Sequence, residues 1–348
     1  MMTPYDKCEI TCRLGINAFW CTRNLVPIPI IHYYSIFRGS GGGLCSLCPG
    51  SLYSFTFSFQ RYVKIEAPNF GERRSAMGKE LLLINDLPGY GKVALAAMMP
   101  VLTHMGHHIY NLPTALVSNT LDYGRFEILD TTEYMRNTIG VWRSLGFSFD
   151  AISTGFIVSP TQASMIANYC SREREKGTKI FVDPIMADEG HLYNGLTERT
   201  VEGMRKLIAQ ADYMVPNYTE AAFLTGEAFV KEGLSWVAMK NLLGKLHRMS
   251  GGSVAITSAR VDGQDAVAGF DVERKEFFLR TFDMIPVRFP GTGDIFSAIF
   301  MGAVMNGMAM VDAVDKAMIA VRKMIVMSEG SQDAFRGIPV EACLEVLD

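Results

Sequence analysis

Near its carboxyl end the chain carries Pro290-Gly291-Thr292-Gly293-Asp294, followed at once by the apolar run Ile295-Phe296-Ser297-Ala298-Ile299-Phe300. Two glycines let the backbone turn tightly and present bare N–H groups where a helix starts. Those donors, with the positive end of the helix dipole, make a natural seat for a phosphate. Asp294, in the first turn, is placed to accept a proton from an incoming hydroxyl. An anion hole beside a base is the equipment of phosphoryl transfer. The same residues also suit a plain helix start, with the aspartate as cap and the glycines in a turn. Two lookalikes fall away. Gly91-Lys92 follows a strand-like run, but the spacing of a P-loop is absent and Val93 stands where Ser or Thr is needed. His104, His107 and His108 resemble a metal cluster, yet they sit at the turn after a helix, where a surface role is expected.

Positioning these groups requires a frame, and apolar periodicity supplies one. Strand-like runs fall at 80–85, 108–112, 151–154, 179–182, 213–215 and 253–257. Helical patterns fall at 92–105, 132–145, 161–176, 198–210, 218–224 and 236–248. A hairpin is expected from 266–272 and 276–282, then two long helices at 294–307 and 311–328. This alternation predicts an α/β fold: a mainly parallel central sheet with helices on both faces. Sites in such sheets gather at the carboxyl ends of strands, which directs attention to the polar residues just after each run.

The 348 residues, 49% hydrophobic and 20% charged, suit a sizeable core and exclude wholesale disorder. A formal charge of −3 argues against a nucleic-acid partner held by phosphate contacts. The most apolar stretch, 295–310, is interrupted by Asn306 and glycines, so no membrane span is expected. A cytoplasmic location follows as an expectation. Residues 1–76 stand apart: they hold five of the seven cysteines, 8 basic and 4 acidic residues, against 25 and 32 in 77–348. Cys8, Cys12, Cys45 and Cys48 make a poorly spaced metal set. The segment is expected to be an extension outside the fold, disordered or never translated. In favour of the latter, Gly71-Glu72-Arg73-Arg74 can be encoded by a purine-rich ribosome-binding stretch at the right distance before Met77. Residues 77–348 then form the functional domain.

Several elements, taken in order, resemble the ribokinase superfamily. The Gly-Thr-Gly-Asp helix start is similar to its signature, and Asn217-Tyr218-Thr219-Glu220 to its Asn-x-x-Glu element. Thr257-Ser258 sits where the family contacts nucleotide phosphates. Asp183-Pro184-Ile185-Met186-Ala187-Asp188 resembles an element of the vitamin B6 kinase branch, as do Thr154-Gly155-Phe156, Ser118-Asn119 and the 84–91 loop. The resemblance runs from about Met77 to the end. It implies a ribokinase-like three-layer sandwich that phosphorylates the 5′-hydroxymethyl of pyridoxal, pyridoxamine or pyridoxine. It further implies Asp294 as base and Gly291, Thr292 and Gly293 as anion hole. Asn217, Glu220, Thr257, Ser258 and Asp183 would bind ATP, with Glu220 and Asp183 serving Mg2+. Asp86, Val117, Asn119, Phe156 and Asp188 would meet the vitamer. A monovalent cation is left open, and a homodimer is expected because sheet-edge dimers are common in such kinases.

Taken singly, these residues have plainer readings. Asp183 suits a turn before proline, Phe156 and Val117 suit the core, Glu220 a solvated helix face, and Asp86 a loop acid. The acid at 86 departs from the serine of many B6 kinases and suits an amine or a protonated ring nitrogen, which leans toward pyridoxamine. His191-Leu192-Tyr193 falls in an expected flap, with no role assigned. No segment after Met77 reads as the extra β lid of sugar kinases. Hydroxymethylpyrimidine kinase and a non-catalytic pyridoxal phosphate binder are the alternatives.

Overall fold

In the computed structural model, residues 78–193 and 195–348 are described, together with the backbone of four short strands before them. Those four pair antiparallel two by two, Cys8–Ile10 with Phe19–Cys21 and Arg38–Gly43 with Phe55–Phe59. The expectation for residues 1–76, an extension or a leader before Met77, otherwise lies outside the described residues.

The unit Gly71–Asp348 is built on strand β1 (Glu80–Ile84), whose four apolar residues are fully buried. Such an unbroken apolar run is what a strand covered on both faces requires. Successive side chains point to opposite faces: Leu82 and Ile84 enter one core, Leu81 and Leu83 the other. Around it lie β2 (His108–Asn111), β3 (Ala151–Thr154), β4 (Lys179–Val182), β5 (Tyr213–Met214), β6 (Ser253–Val261), β7 (Gln264–Asp271) and β8 (Glu276–Thr281). The sheet order is β8-β7-β6-β5-β4-β3-β1-β2. Strands β2 to β6 and β1 run parallel, and the β7–β8 hairpin adds antiparallel strands at one edge.

Helices cover both faces, as the alternation predicts. On one side pack α2 (Thr132–Leu145), α3 (Pro160–Glu175), α4 (Glu198–Ile208), α5 (Tyr218–Thr225) and α6 (Trp236–Ser250). The other side holds α1 (Ala94–His104), α7 (Thr292–Met305) and α8 (Met310–Ser328). Local chemistry sets the starts: Ser159 Oγ accepts the Gln162 amide at 3.3 Å ahead of Pro160, and Asn217 caps α5.

Three features differ from expectation. Leu87–Pro88, Ala115–Val117 and Ile128–Asp130 form a small separate sheet, although no extra β segment reads from the sequence. Strands of two or three residues are too short to show a period of two, and Leu116 and Leu129 are exposed. Strand β6 runs past Thr257 through a bulge. His107 is not on the surface: it is buried, its Nδ1 accepts from the Lys79 amide at 3.3 Å and its Nε2 donates to the Gly302 carbonyl at 3.1 Å. Burial lowers its pKa, so the neutral ring fills a core position.

Candidate active site

The carboxyl ends of β1, β3, β4 and β5, the bulge of β6 and the start of α7 bring most of the candidate residues to one rim. Gly291 caps α7 with φ of +84°, and a Cβ there would lie 2.4 Å from the Lys92 carbonyl oxygen. Only glycine fits both the left-handed turn and the close approach. The amides of Thr292, Gly293 and Asp294 open the helix and have no acceptor within it, as at every helix start. Asp294 is 9% exposed, and its Oδ1 accepts from Asn85 Nδ2 at 3.2 Å. Burial pushes its pKa up to about 6, while the Ala94 amide and Asn85 restrain the rise.

Asn85 is the residue that sequence reasoning missed. It directly follows β1, is 2% exposed, and its Oδ1 accepts from the Asp86 amide at 3.0 Å and the Phe156 amide at 2.8 Å. One side chain thus joins Asp294, the first loop and the loop after β3. The available signal was a polar residue ending an apolar strand, at a position where a core strand would otherwise carry none.

A second group surrounds Asp183, just past β4. Its Oδ2 accepts from Ser297 Oγ at 2.6 Å, one turn into α7 beyond Asp294. Glu220 is 2% exposed, not on a solvated face. Its Oε2 accepts from the Asn217 amide at 2.8 Å and its Oε1 from the Met186 amide at 3.0 Å, while Asn217 Oδ1 accepts from the Glu220 amide at 2.9 Å. This reciprocal capping box turns the carboxylate inward. Burial, then the neighbouring Asp183 charge, raises the Glu220 pKa. That of Asp183 is raised by burial and by Asp294, against the Ser297 bond. Thr257 joins Asn217 through a parallel bridge, its amide donating to the Pro216 carbonyl at 2.9 Å. Ser258 follows in the β6 bulge with φ of +50°, exposed toward solvent. Bulges of this kind re-aim side chains beside active sites.

On the other side of Asp294 lies Asp86, half-buried, its pKa pushed up to about 7 by burial and by the Asp294 charge. Val117 is buried in the small sheet, and its carbonyl accepts from the Gly89 amide at 2.7 Å. Phe156 is half-buried, and its carbonyl accepts from Thr114 Oγ1 at 2.8 Å. Asn119 is placed differently: its Nδ2 donates to the carbonyls of Thr120 and Arg125, both at 3.0 Å, which binds it within its own loop. Asp188 is placed by backbone pairing and by two side-chain ties. It lies in the hairpin Ala187–Asp188 and His191–Leu192, which Asn217 Nδ2 ties at Ala187 and Thr219 Oγ1 ties at Gly190. Asp188 is thereby held beside residues 217–220. Tyr193 leaves this hairpin half-buried. Its phenol pKa is raised by burial and then by the nearby charges of Glu220, Asp188, Asp183 and Asp294.

The geometry joins Asp86, Asn85, Asp294, Asp183, Glu220 and Asn217 into one continuous acidic rim. No three His, Cys, Asp or Glu side chains among the described residues converge tightly enough to hold a metal unaided. The profile of the phosphomethylpyrimidine kinase family matches residues 95–335. A pyridoxine/pyridoxal/pyridoxamine kinase of Bordetella avium is 28% identical over 262 residues, covering 70% of this chain and 85% of that protein. A Bacteroides thetaiotaomicron protein described as a phosphomethylpyrimidine kinase, crystallised with pyridoxal, superposes with a TM-score of 0.74 at 32% identity, covering 78% of this chain and 96% of that one. Pyridoxal kinase of Lactobacillus plantarum superposes with a TM-score of 0.70 at 26% identity, over 77% and 96% of the two chains. With its family profile, its three-layer sandwich and its B6 kinase relatives, the chain belongs to the phosphomethylpyrimidine and pyridoxal kinase family of the ribokinase superfamily.

Proposed function

We propose that the chain transfers the γ-phosphoryl of ATP to the 5′-hydroxymethyl of pyridoxal, pyridoxamine or pyridoxine. The observation that carries this reading is Asp294 at the start of α7, tethered by Asn85 and within electrostatic reach of both Asp86 and Asp183. With a pKa of about 6, Asp294 is largely ionised at neutral pH yet basic enough to take the hydroxyl proton. As that proton moves, the alcohol oxygen bonds to the γ-phosphorus and the bond to the ADP oxygen breaks. The amides of Thr292, Gly293 and Asp294 face the charge that develops on the phosphoryl oxygens. Asp86 supplies a carboxyl for the ring nitrogen or amine of the vitamer, with Val117 and Phe156 as apolar walls. Thr257, Ser258 and Asn217 flank the nucleotide phosphates.

Mg2+ fits this rim. Asp183 is half-buried and Glu220 buried; both are raised in pKa and close to a third acid, a crowding that a cation relieves. Two carboxylates and substrate phosphates are a usual magnesium environment. Both Glu220 oxygens already accept amides, which favours contact through water. The ion would neutralise phosphate charge.

Hydroxymethylpyrimidine is the rival acceptor, consistent with the description of the family profile; the B6 kinase names of the curated relatives favour the vitamers. One panel decides it: ADP release measured with each B6 vitamer and with hydroxymethylpyrimidine. Turnover of the pyrimidine alone overturns the assignment, and binding of pyridoxal phosphate with no turnover favours a silent carrier. A cytoplasmic homodimer joined at a sheet edge belongs to the same reading and is checked by sedimentation and by fractionation. No described helix is long and apolar enough to cross a membrane.

A further inference from the structure

The pair Gly91-Lys92 has no task in the chemistry above, yet Lys92 is tied to the C-terminal segment through both backbone and side chain. Its amide donates to the Arg336 carbonyl at 2.7 Å, and its ammonium pairs with Glu341. Its carbonyl oxygen packs under two glycines. A Cβ on Gly291 would approach it to 2.4 Å; one on Gly337 would approach it to 2.7 Å and the Pro290 carbonyl to 3.0 Å. Gly337 has φ of +76°, so a side chain there is strained on both counts. One residue therefore touches the phosphate cradle and the C-terminal segment together.

Further contacts bind the same segment to the substrate side. Thr120 donates its amide to the Tyr90 carbonyl at 3.0 Å and its hydroxyl to the Phe335 carbonyl at 2.7 Å. Tyr123 OH donates to Asp333 Oδ2 at 2.5 Å, and its ring meets Phe335 edge-on at 5.5 Å. The Arg336 guanidinium lies 5.4 Å over the Tyr90 ring.

We infer that residues 333–341 form a positioning strap that sets the distance between the substrate loop, 86–92, and the cradle, Gly291 to Asp294, acting through Lys92. The physical need is clear. In-line transfer requires reacting atoms held near contact, and displacement by 1 Å can cost about a hundredfold in rate. The loop carries Asp86 while the cradle carries Asp294, and the strap is packed against both where they meet. Lys92 is a positioning residue, with its charge matched by Glu341 instead of by phosphate.

The kinetic arm of the test rests on the proposed B6 kinase activity; the exchange arm does not. Hydrogen exchange is compared for the full chain and its Tyr123→Phe and Lys92→Met variants. Amides of 86–95 and 290–296 are expected to exchange about tenfold faster in both, with β6 and β7 unchanged. Faster exchange confined to 333–341 overturns the strap. In steady-state assays, kcat with the vitamer is expected to fall about three- to tenfold and KM for the vitamer to rise, with KM for ATP within about twofold. An unchanged kcat, or equal changes in both KM values, also overturns it. If the unaltered chain turns over no vitamer, the functional reading fails and the exchange result alone decides the strap.

Discussion

Replacing Asp294 by Asn tests the base and its electrostatic cost in one experiment. The carboxyl is buried, and its pKa stands at about 6 in the fold against an ordinary 3.8. A raised carboxylate pKa means that the folded state binds the proton more tightly than the unfolded chain. Stability from this group is therefore fully present below about pH 4 and is lost as pH rises through about 6. The shift corresponds to about 3 kcal/mol of destabilisation by the ionised form at pH 7. The near-isosteric amide keeps an oxygen for Asn85 and for the Ala94 amide but carries no charge. Its NH2 group gains no assured acceptor, so the net gain is expected at about 1–2 kcal/mol. That raises the melting temperature by several degrees, roughly 2–4 °C per kcal/mol for a domain of this size. Activity moves the other way: kcat with a B6 vitamer falls by about 10²–10⁴, with KM for ATP little changed. In the unaltered protein, kcat/KM for the vitamer declines below about pH 6 as Asp294 protonates, and this limb vanishes in the variant. Calorimetry at pH 7 and 5 beside rate–pH profiles measures all three. A variant that is active, or that is no more stable at pH 7 than its parent, refutes the reasoning.

Other perturbations act on neighbouring contacts. Asn85→Ala removes a bond that restrains the Asp294 pKa, so the acidic limb of the rate–pH profile shifts upward, and kcat/KM drops about 10–100-fold as two loops lose their anchor. Glu220→Gln places a donor against one of two backbone amides; the Mg2+ concentration for half-maximal rate rises about tenfold, with KM for the vitamer nearly unchanged. At Ser258, φ of +50° makes Ser258→Gly neutral or stabilising, whereas Ser258→Val loses about 1–3 kcal/mol in urea unfolding.

Much of this was open to reading because it is periodic or local. The runs at 151–154 and 179–182 became strands with those bounds, and the helix expected at 132–145 became α2, since their apolar spacing depends on neighbours in sequence. The Gly-Thr-Gly-Asp helix start was legible for the same reason. What could not be read was set by partners far away. Asn85 gains its importance only when residue 294, 209 positions on, comes into bonding distance. Glu220 reads as a surface acid until the capping box and the Met186 amide draw it inward. Asp188, which the resemblance groups with the vitamer pocket, gains its setting from a hairpin that a side chain some 30 positions on, Asn217, ties at Ala187. Lys92 looked like a failed P-loop; its partners lie in a C-terminal segment with no regular period.

The long span between Asn85 and Asp294 has a bearing on biosynthesis. A nascent chain on the ribosome can assemble β1 and its neighbours well before α7 is made. On the proposed function, residues 217–220 are then present with no base to activate an alcohol. Such a half-made kinase would be chemically mute until the penultimate long helix docks.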